Sequence, residues 1–350
     1  MKDQISILFL LITFLSCEDR AQSRFPHYQT FPQEKILEAK ALSLDTALFR
    51  YPFRIEIRGR FALIMDIHNI DNYYHLFNYP AMTHIVSFGH RGDSPGDMLS
   101  ADSFAFQSLD SIWTLDANKM QITRWEITNR DYTVKMVECI SLNKKIGRAL
   151  DFIRIGNDFV IPDYLAKSRY NLVNSYGEIF SEKGIIPSEQ YESENLTPAL
   201  AQAWRSFIDF NSKNGILSLV TQLGEVVEIY NLQNNTHKVL YGPNGEPDFK
   251  ISNDYGIPTG IMGFSDVEVT DKYIYTVFHG RSFKEIARKI MKGVPSIDGG
   301  RYIYVFSLTG EPVCSYVLDR YIYGIDVNEE KGIITAVDVN SDEPIVQFKI

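Results

Sequence analysis

The sequence predicts an all-β fold: a six-bladed β-propeller of four-stranded antiparallel blades, with an N-terminal strand closing the last blade. Three observations lead there. Beyond about residue 34 the chain is a succession of apolar runs of five to eight residues, rich in Ile, Val, Tyr and Phe, separated by Asn, Asp and Gly clusters. The runs fall into groups of four, each group starting roughly 45 to 60 residues after the last, the spacing of propeller blades. The final group holds only three runs before Ile350, which leaves an open edge for a strand from elsewhere to fill.

The first group covers 53–58, 61–67, 72–78 and 84–88, and the second 103–107, 111–116, 120–126 and 132–140. Further groups start near Ala149, Trp204, Gly263 and Arg320, making six in all. Many runs are apolar on both faces, as in DKYIYTVF and RYIYVFSL, the pattern of strands buried between neighbouring blades. Thr309-Gly310, Asn214-Gly215 and Glu330-Lys331-Gly332 read as hairpin turns. The segment 35–44 (KILEAKALSL) precedes the first group and has no partner of its own. It is predicted to be the outer strand of the last blade, tying the two ends of the domain together.

The first residues, MKDQISILFLLITFLSCEDR, carry an apolar run from Ile5 to Leu15. As a helix it spans about 16 Å, too short for a bilayer core of about 30 Å, so 1–16 reads as a signal peptide. Ser16-Cys17 after Leu15 is similar to a bacterial lipobox, which makes Cys17 the expected lipidation site and 17–34 a polar tether. The domain proper is then 35–350. With Cys17 acylated, Cys139 and Cys314 fall on outer strands of the second and fifth blades, on opposite sides of the ring. They are predicted to be free thiols.

A formal charge of −9 removes the attraction that phosphate contacts require, so nucleic acid is not an expected partner. No HExxH, GxSxG, P-loop or CxxC is present, and no cofactor is expected. Asp151, Asp209, Asp266, Glu268 and Asp326 are inner-strand acids, the residue type that holds a divalent cation in some propeller channels.

The stretch FGHRGDSPGDM contains Arg91-Gly92-Asp93-Ser94-Pro95, a sequence that adhesion proteins present to integrins. Its place between the first and second blades, with Gly89, Gly92, Pro95 and Gly96 for tight turning, makes it a blade-connecting loop instead. Phe88 to Asp97 resembles the loop of Phe-Gly, basic residue, Gly, variable pair, Pro-Gly and acid found in the TolB-like six-bladed propellers of Bacteroidetes lipoproteins. Ser94 stands where that family usually has Gly. Tyr302 to Pro312, Tyr316 to Asp319 and Gly280-Arg281-Ser282 are similar to family text as well. The resemblance implies this fold and a cell-envelope location, lipid-anchored, and it implies no reaction.

In such a blade the connection to the next blade and the loop between the second and third strands share one face. Here that face receives the long segments 89–100, 182–203, 241–262 and 278–300. Ligand sites favour long loops on a rigid scaffold, so His90, Arg91, Asp97, Tyr255, His279 and Arg281 are the candidate ligand-binding residues. Within the last segment Phe283, Ile286, Ala287 and Ile290 recur at helical spacing beside Arg281, Lys284, Arg288, Lys289 and Lys292. That helix either docks an anionic ligand, lipid headgroup or partner, or caps the channel with its apolar face inward; the cap is the preferred reading. The function expected is a ligand- or protein-binding and scaffolding module, its partner an envelope protein or glycan. The alternative is a propeller hydrolase or lyase with a divalent cation in the channel.

Overall fold

The computed structural model describes residues 24–46, 49–128, 132–165, 168–190, 198–253, 255–295 and 297–350; the expected signal peptide 1–16 and lipidation site Cys17 lie outside the described residues. Two short strands come first, β1 (Glu34–Leu37) and β2 (Lys40–Ala41). Blade one is β3 (Pro52–Arg58), β4 (Phe61–Asp66), β5 (Asn72–Asn78) and β6 (Thr83–His90). Blade two is β7 (Ser103–Ser108), β8 (Ser111–Asp116), β9 (Gln121–Ile127) and β10 (Val134–Ser141). Blade three is β11 (Ile153–Ile155), β12 (Asp158–Pro162), β13 (Tyr170–Val173) and β14 (Ile179–Lys183), followed by the helix α1 (Pro198–Ala203). Blade four is β15 (Ser206–Asn211), β16 (Ile216–Thr221), β17 (Val226–Asn231) and β18 (Thr236–Tyr241).

A hairpin, β19 (Phe249–Ser252) and β20 (Tyr255–Pro258), then precedes blade five, which is β21 (Phe264–Val269), β22 (Tyr273–Phe278), β23 (Gly300–Ser307) and β24 (Pro312–Ile322). The helix α2 (Phe283–Met291) lies inside that blade, between β22 and β23. Blade six is β25 (Ile325–Asn328), β26 (Ile333–Val337) and β27 (Ile345–Lys349), completed by β2.

The second strands β4, β8 and β16 are buried at every position. Each is covered by the blades on both sides, which is why these runs show no polar alternation. Cys139 on β10 and Cys314 on β24 are free, as predicted.

The N-terminal segment closes the ring, though not as one strand. β2 pairs antiparallel with β27 through Lys40 with Gln347 and Ala41 with Val346. Upstream, β1 runs parallel to β24 and adds a fifth strand to blade five. The step between the two blades is pinned where the Ala39 amide donates to Asp319 Oδ1 at 3.0 Å. Residues 24–33, read from the sequence as tether, are packed as well: Tyr28 is buried against Phe306 and donates its hydroxyl to Glu225 Oε1 at 2.8 Å. Aromatic residues spaced without period escape a search for alternation, yet they wedge between blades four and five.

The preferred reading of α2 as an inward cap is overturned. None of its residues is buried, and Ile290 and Met291 are 61% and 81% exposed. The channel is instead covered by the chain that follows the helix, described next.

Candidate functional site

The six inner strands β3, β7, β11, β15, β21 and β25 run from the long-loop face to the face of short turns, so successive inward side chains form layers along the channel. Nearest the long-loop face the layer is aromatic. Phe53 packs 4.8 Å from Tyr323 and 6.2 Å from Phe207, centroid to centroid.

The next layer is charged and buried. Arg54 donates to Asp151 Oδ1 and Oδ2 at 2.9 and 2.7 Å and to Ser103 Oγ at 2.8 Å, lies 3.6 Å from Asp266, and stacks over Phe207. Beyond it stand Glu56, Asp209, Glu268 and Asp326.

These acids join neighbouring blades. Phe106 N–H donates to Glu56 at 3.0 Å, Ile208 to Asp151 at 3.1 Å, and Val269 to Asp209 at 2.6 Å. Ile325 donates to Asp266 at 2.9 Å, Val327 to Glu268 at 2.7 Å, and Ile57 to Asp326 at 2.7 Å, which joins blade six to blade one. A charge-assisted bond to an amide of the next inner strand fixes the spacing of the blades at the axis.

Burial, with crowding behind it, leaves Glu56, Asp209, Asp266, Glu268 and Asp326 unusually basic. Burial outweighs Arg58 and takes Glu56 to about 7. Burial likewise outweighs Arg54 at Asp266, and both Asp266 and Asp326 titrate near 7. Glu268 is raised well above its ordinary value by burial and then by the facing charge of Asp326. Glu268 and Asp326 each use a single oxygen for the amide bond.

Above these acids opens a cavity of about 830 Å³, whose lining includes Glu56, Asp209, Glu268 and Asp326 and, at its rim, Arg58, Lys213 and Lys331. Gly59, Gly156 and Ser212, from the turns after the first strand of their blades, also line it. The mouth is therefore on the short-turn face, opposite the one that loop lengths favoured. Among the described residues no group of three or more His, Cys, Asp or Glu side chains is arranged to hold a metal ion.

The long-loop end is plugged. Asp298, in the chain after α2, accepts from Tyr51 Oη at 2.5 Å and Tyr323 Oη at 2.8 Å, while its amide donates to Asn340 at 2.8 Å. Burial would raise this carboxyl, but the two hydroxyls, the Gly299 amide and Arg281 together outweigh it and hold Asp298 below the ordinary range.

The six candidate residues divide among three places, and none lines the cavity. Arg281 belongs to the plug, donating to the carbonyls of Ile297 and Gly299 and lying 3.7 Å from Asp298. His279 is buried beside Tyr323, and burial, then Arg281, lowers it to about 3, so it is neutral. His90 and Asp97 pair with each other at 3.1 Å across the loop after β6. Arg91 turns back onto its own blade, donating to the Asn69 carbonyl at 3.2 Å over the Tyr73 ring. Tyr255 stands exposed on the hairpin.

Of the inner-strand acids singled out in the sequence, Asp209, Asp266, Glu268 and Asp326 line the cavity and Asp151 sits beneath it, holding Arg54. Arg54, Glu56 and Arg58 went unnoticed. Their signal is the alternation Arg-x-Glu-x-Arg on an inner strand, which puts three charges on the channel side.

A family profile described as TolB-like 6-blade propeller-like matches residues 30–330. No curated protein matches. Among solved structures the chain is similar to a putative exported protein from Bacteroides fragilis, with a TM-score of 0.56, 11% identity and coverage of 93% of this chain and 98% of that one. It is also similar to a member of the duf4221 family from Bacteroides vulgatus, with a TM-score of 0.55, 9% identity and coverage of 90% and 95%. At these identities the likeness is one of fold.

Proposed function

The chain belongs to the TolB-like family of six-bladed propellers, and from that premise we propose that it is a lipid-anchored binding module of the cell envelope. It takes a positively charged group of a protein or glycan ligand into the channel from the short-turn face. The observation that carries this reading is the open cavity of about 830 Å³ above buried, proton-hungry carboxyls. Two features favour binding over catalysis: every inner carboxylate already fixes a neighbouring blade, and Arg54 is held by Asp151 through both of its terminal nitrogens. A rigid cup recognises well, because its walls need not move when an entering cation takes the place of the carboxyl protons. A structural neighbour described as a putative exported protein and the lipobox-like Ser16-Cys17 support an envelope location.

Isothermal titration with spermidine as a cationic probe tests the cup. The expected result is saturable binding weakened about tenfold, or about 1.4 kcal/mol, by Glu268→Gln with Asp326→Asn, which keep the amide contacts and remove the charge. Neutral oligosaccharides binding as well in the double variant as in the unaltered chain would show that charge is not what the cup reads. Stoichiometric Ca²⁺ binding lost in the same variant would favour the channel-cation alternative.

A further inference from the structure

We propose that the edge where the β19–β20 hairpin meets α2 is a membrane-docking surface for anionic phospholipid headgroups. The two elements adjoin. The chain leaving β20 pairs with the chain entering α2 through a bridge between Ile261 and Ser282, and the Phe283 amide donates to the Gly260 carbonyl at 3.1 Å.

The hairpin is held by its other side. Phe249 enters the core beside Trp204, and Gly256 lies so close to α1 that a Cβ there would meet the Ala199 carbonyl at 2.5 Å. What remains outward is apolar: Ile251, Tyr255 and Ile257 are each at least half exposed. On α2, Ile290 and Met291 are exposed, and Val294 just beyond it is nearly half so.

At 100° per residue, α2 and the turn beyond it sort into an apolar stripe of Ile286, Ile290, Met291 and Val294 beside a basic one. The basic stripe is Lys284, Arg288, Lys289 and Lys292, with Glu285 as the helix's sole acid, and among the described residues none of the four is ion-paired. Exposed apolar groups flanked by unpaired cations complement a boundary that is anionic on one side and apolar on the other, as anionic headgroups above acyl chains are.

The path of the N-terminal chain selects a membrane as the occupant. Phe25 packs against the same cluster as Phe249 and Phe283. Phe25 is eight steps along the chain from Cys17, a reach of about 28 Å when fully extended. An acyl chain on Cys17 would hold this edge within that reach of the bilayer. The anchor enters only as proximity. The surface itself does not depend on the proposed channel ligand.

The test uses unlipidated chain starting at Glu18, which keeps every described residue. Co-sedimentation with vesicles of equimolar phosphatidylglycerol and phosphatidylethanolamine is compared with pure phosphatidylcholine. Binding is expected on the anionic vesicles alone, falling about tenfold in Arg288→Glu/Lys289→Glu and again in Ile290→Asp/Met291→Asp. Because α2 has no buried residue, melting should be unchanged in both variants.

Absence of binding, equal binding to both vesicles, or binding indifferent to both variants overturns the proposal. So does a dimer in solution that Met291→Asp dissociates, since the patch would then belong to a second copy. Glu268→Gln/Asp326→Asn should leave vesicle binding untouched and the α2 variants should leave spermidine binding untouched, which separates failure of this surface from failure of the cup.

Discussion

Arg54 decides the electrostatics of the channel. It is buried between Asp151 and Asp266, and its five donors are what allow two carboxyls so near the axis. Arg54→Ala strands a buried Asp151 and should lower stability by about 3–5 kcal/mol in chemical denaturation. Arg58, half exposed beside Glu56, provides the control: Arg58→Ala should cost less than about 1 kcal/mol. Equal costs would mean that Arg54 is not the central tie. The sequence displayed the acids of the channel but not this partner, since an arginine in an apolar run looks like any surface charge until the strand is known to be innermost. The tripeptide in the loop after β6 shows the reverse. Its residues stand out as text, while the structure occupies Arg91 with its own blade and His90 with Asp97.

At the level of elements, the blades were legible because burial on both faces leaves a mark in composition. A second repeat was also there to be read. Asp66 and Asp116 end the second strands of blades one and two, Asp163 and Asp338 directly follow those of blades three and six, and each accepts an amide from the loop that comes next, as Asp116 does from Asn118 and Lys119, with Leu99 of the preceding connection added. The hairpin and α1 were not legible, since each is short and is fixed by tertiary contacts such as that between Gly256 and Ala199. The N-terminal segment was half legible: its pairing with blade six follows from an incomplete sheet, whereas its parallel run along blade five follows from nothing local. The register of β1 makes a sharp expectation. Leu37 is 7% exposed and Ile36 77%, so Leu37→Ala should cost about 2–4 kcal/mol and Ile36→Ala under about 0.5 kcal/mol, compared by urea midpoints. Two neutral substitutions would make β1 mere tether.

Over the whole molecule, the two faces divide the work: the proposed docking edge lies on the long-loop face, so the open cup on the short-turn face points away from the bilayer. The cup also gives the protein an inverted response to pH. Glu56, Asp266 and Asp326 titrate near 7 in the fold, against ordinary values of 4.5, 3.8 and 3.8. Between those limits the native state holds more protons than the unfolded chain, so stability falls as pH rises through the window. Buried histidines act in the opposite sense, and lower down. His75 and His279 are held to about 4 and about 3 against 6.5, so the stability of their neutral forms is present above 6.5 and is lost as pH falls below it. The two effects oppose each other between about 4 and 6.5, and above that only the carboxyls act. The melting temperature should therefore decline from pH 6.5 to 8, where most proteins are level. Asp326→Asn, which cannot ionise, should flatten the decline, and a cationic ligand should do the same by neutralising the cup as protons leave. A melting temperature that rises across this interval, with the variant parallel to the unaltered chain, would show that the channel carboxyls are ordinary acids and that the cup has no unmet demand for positive charge.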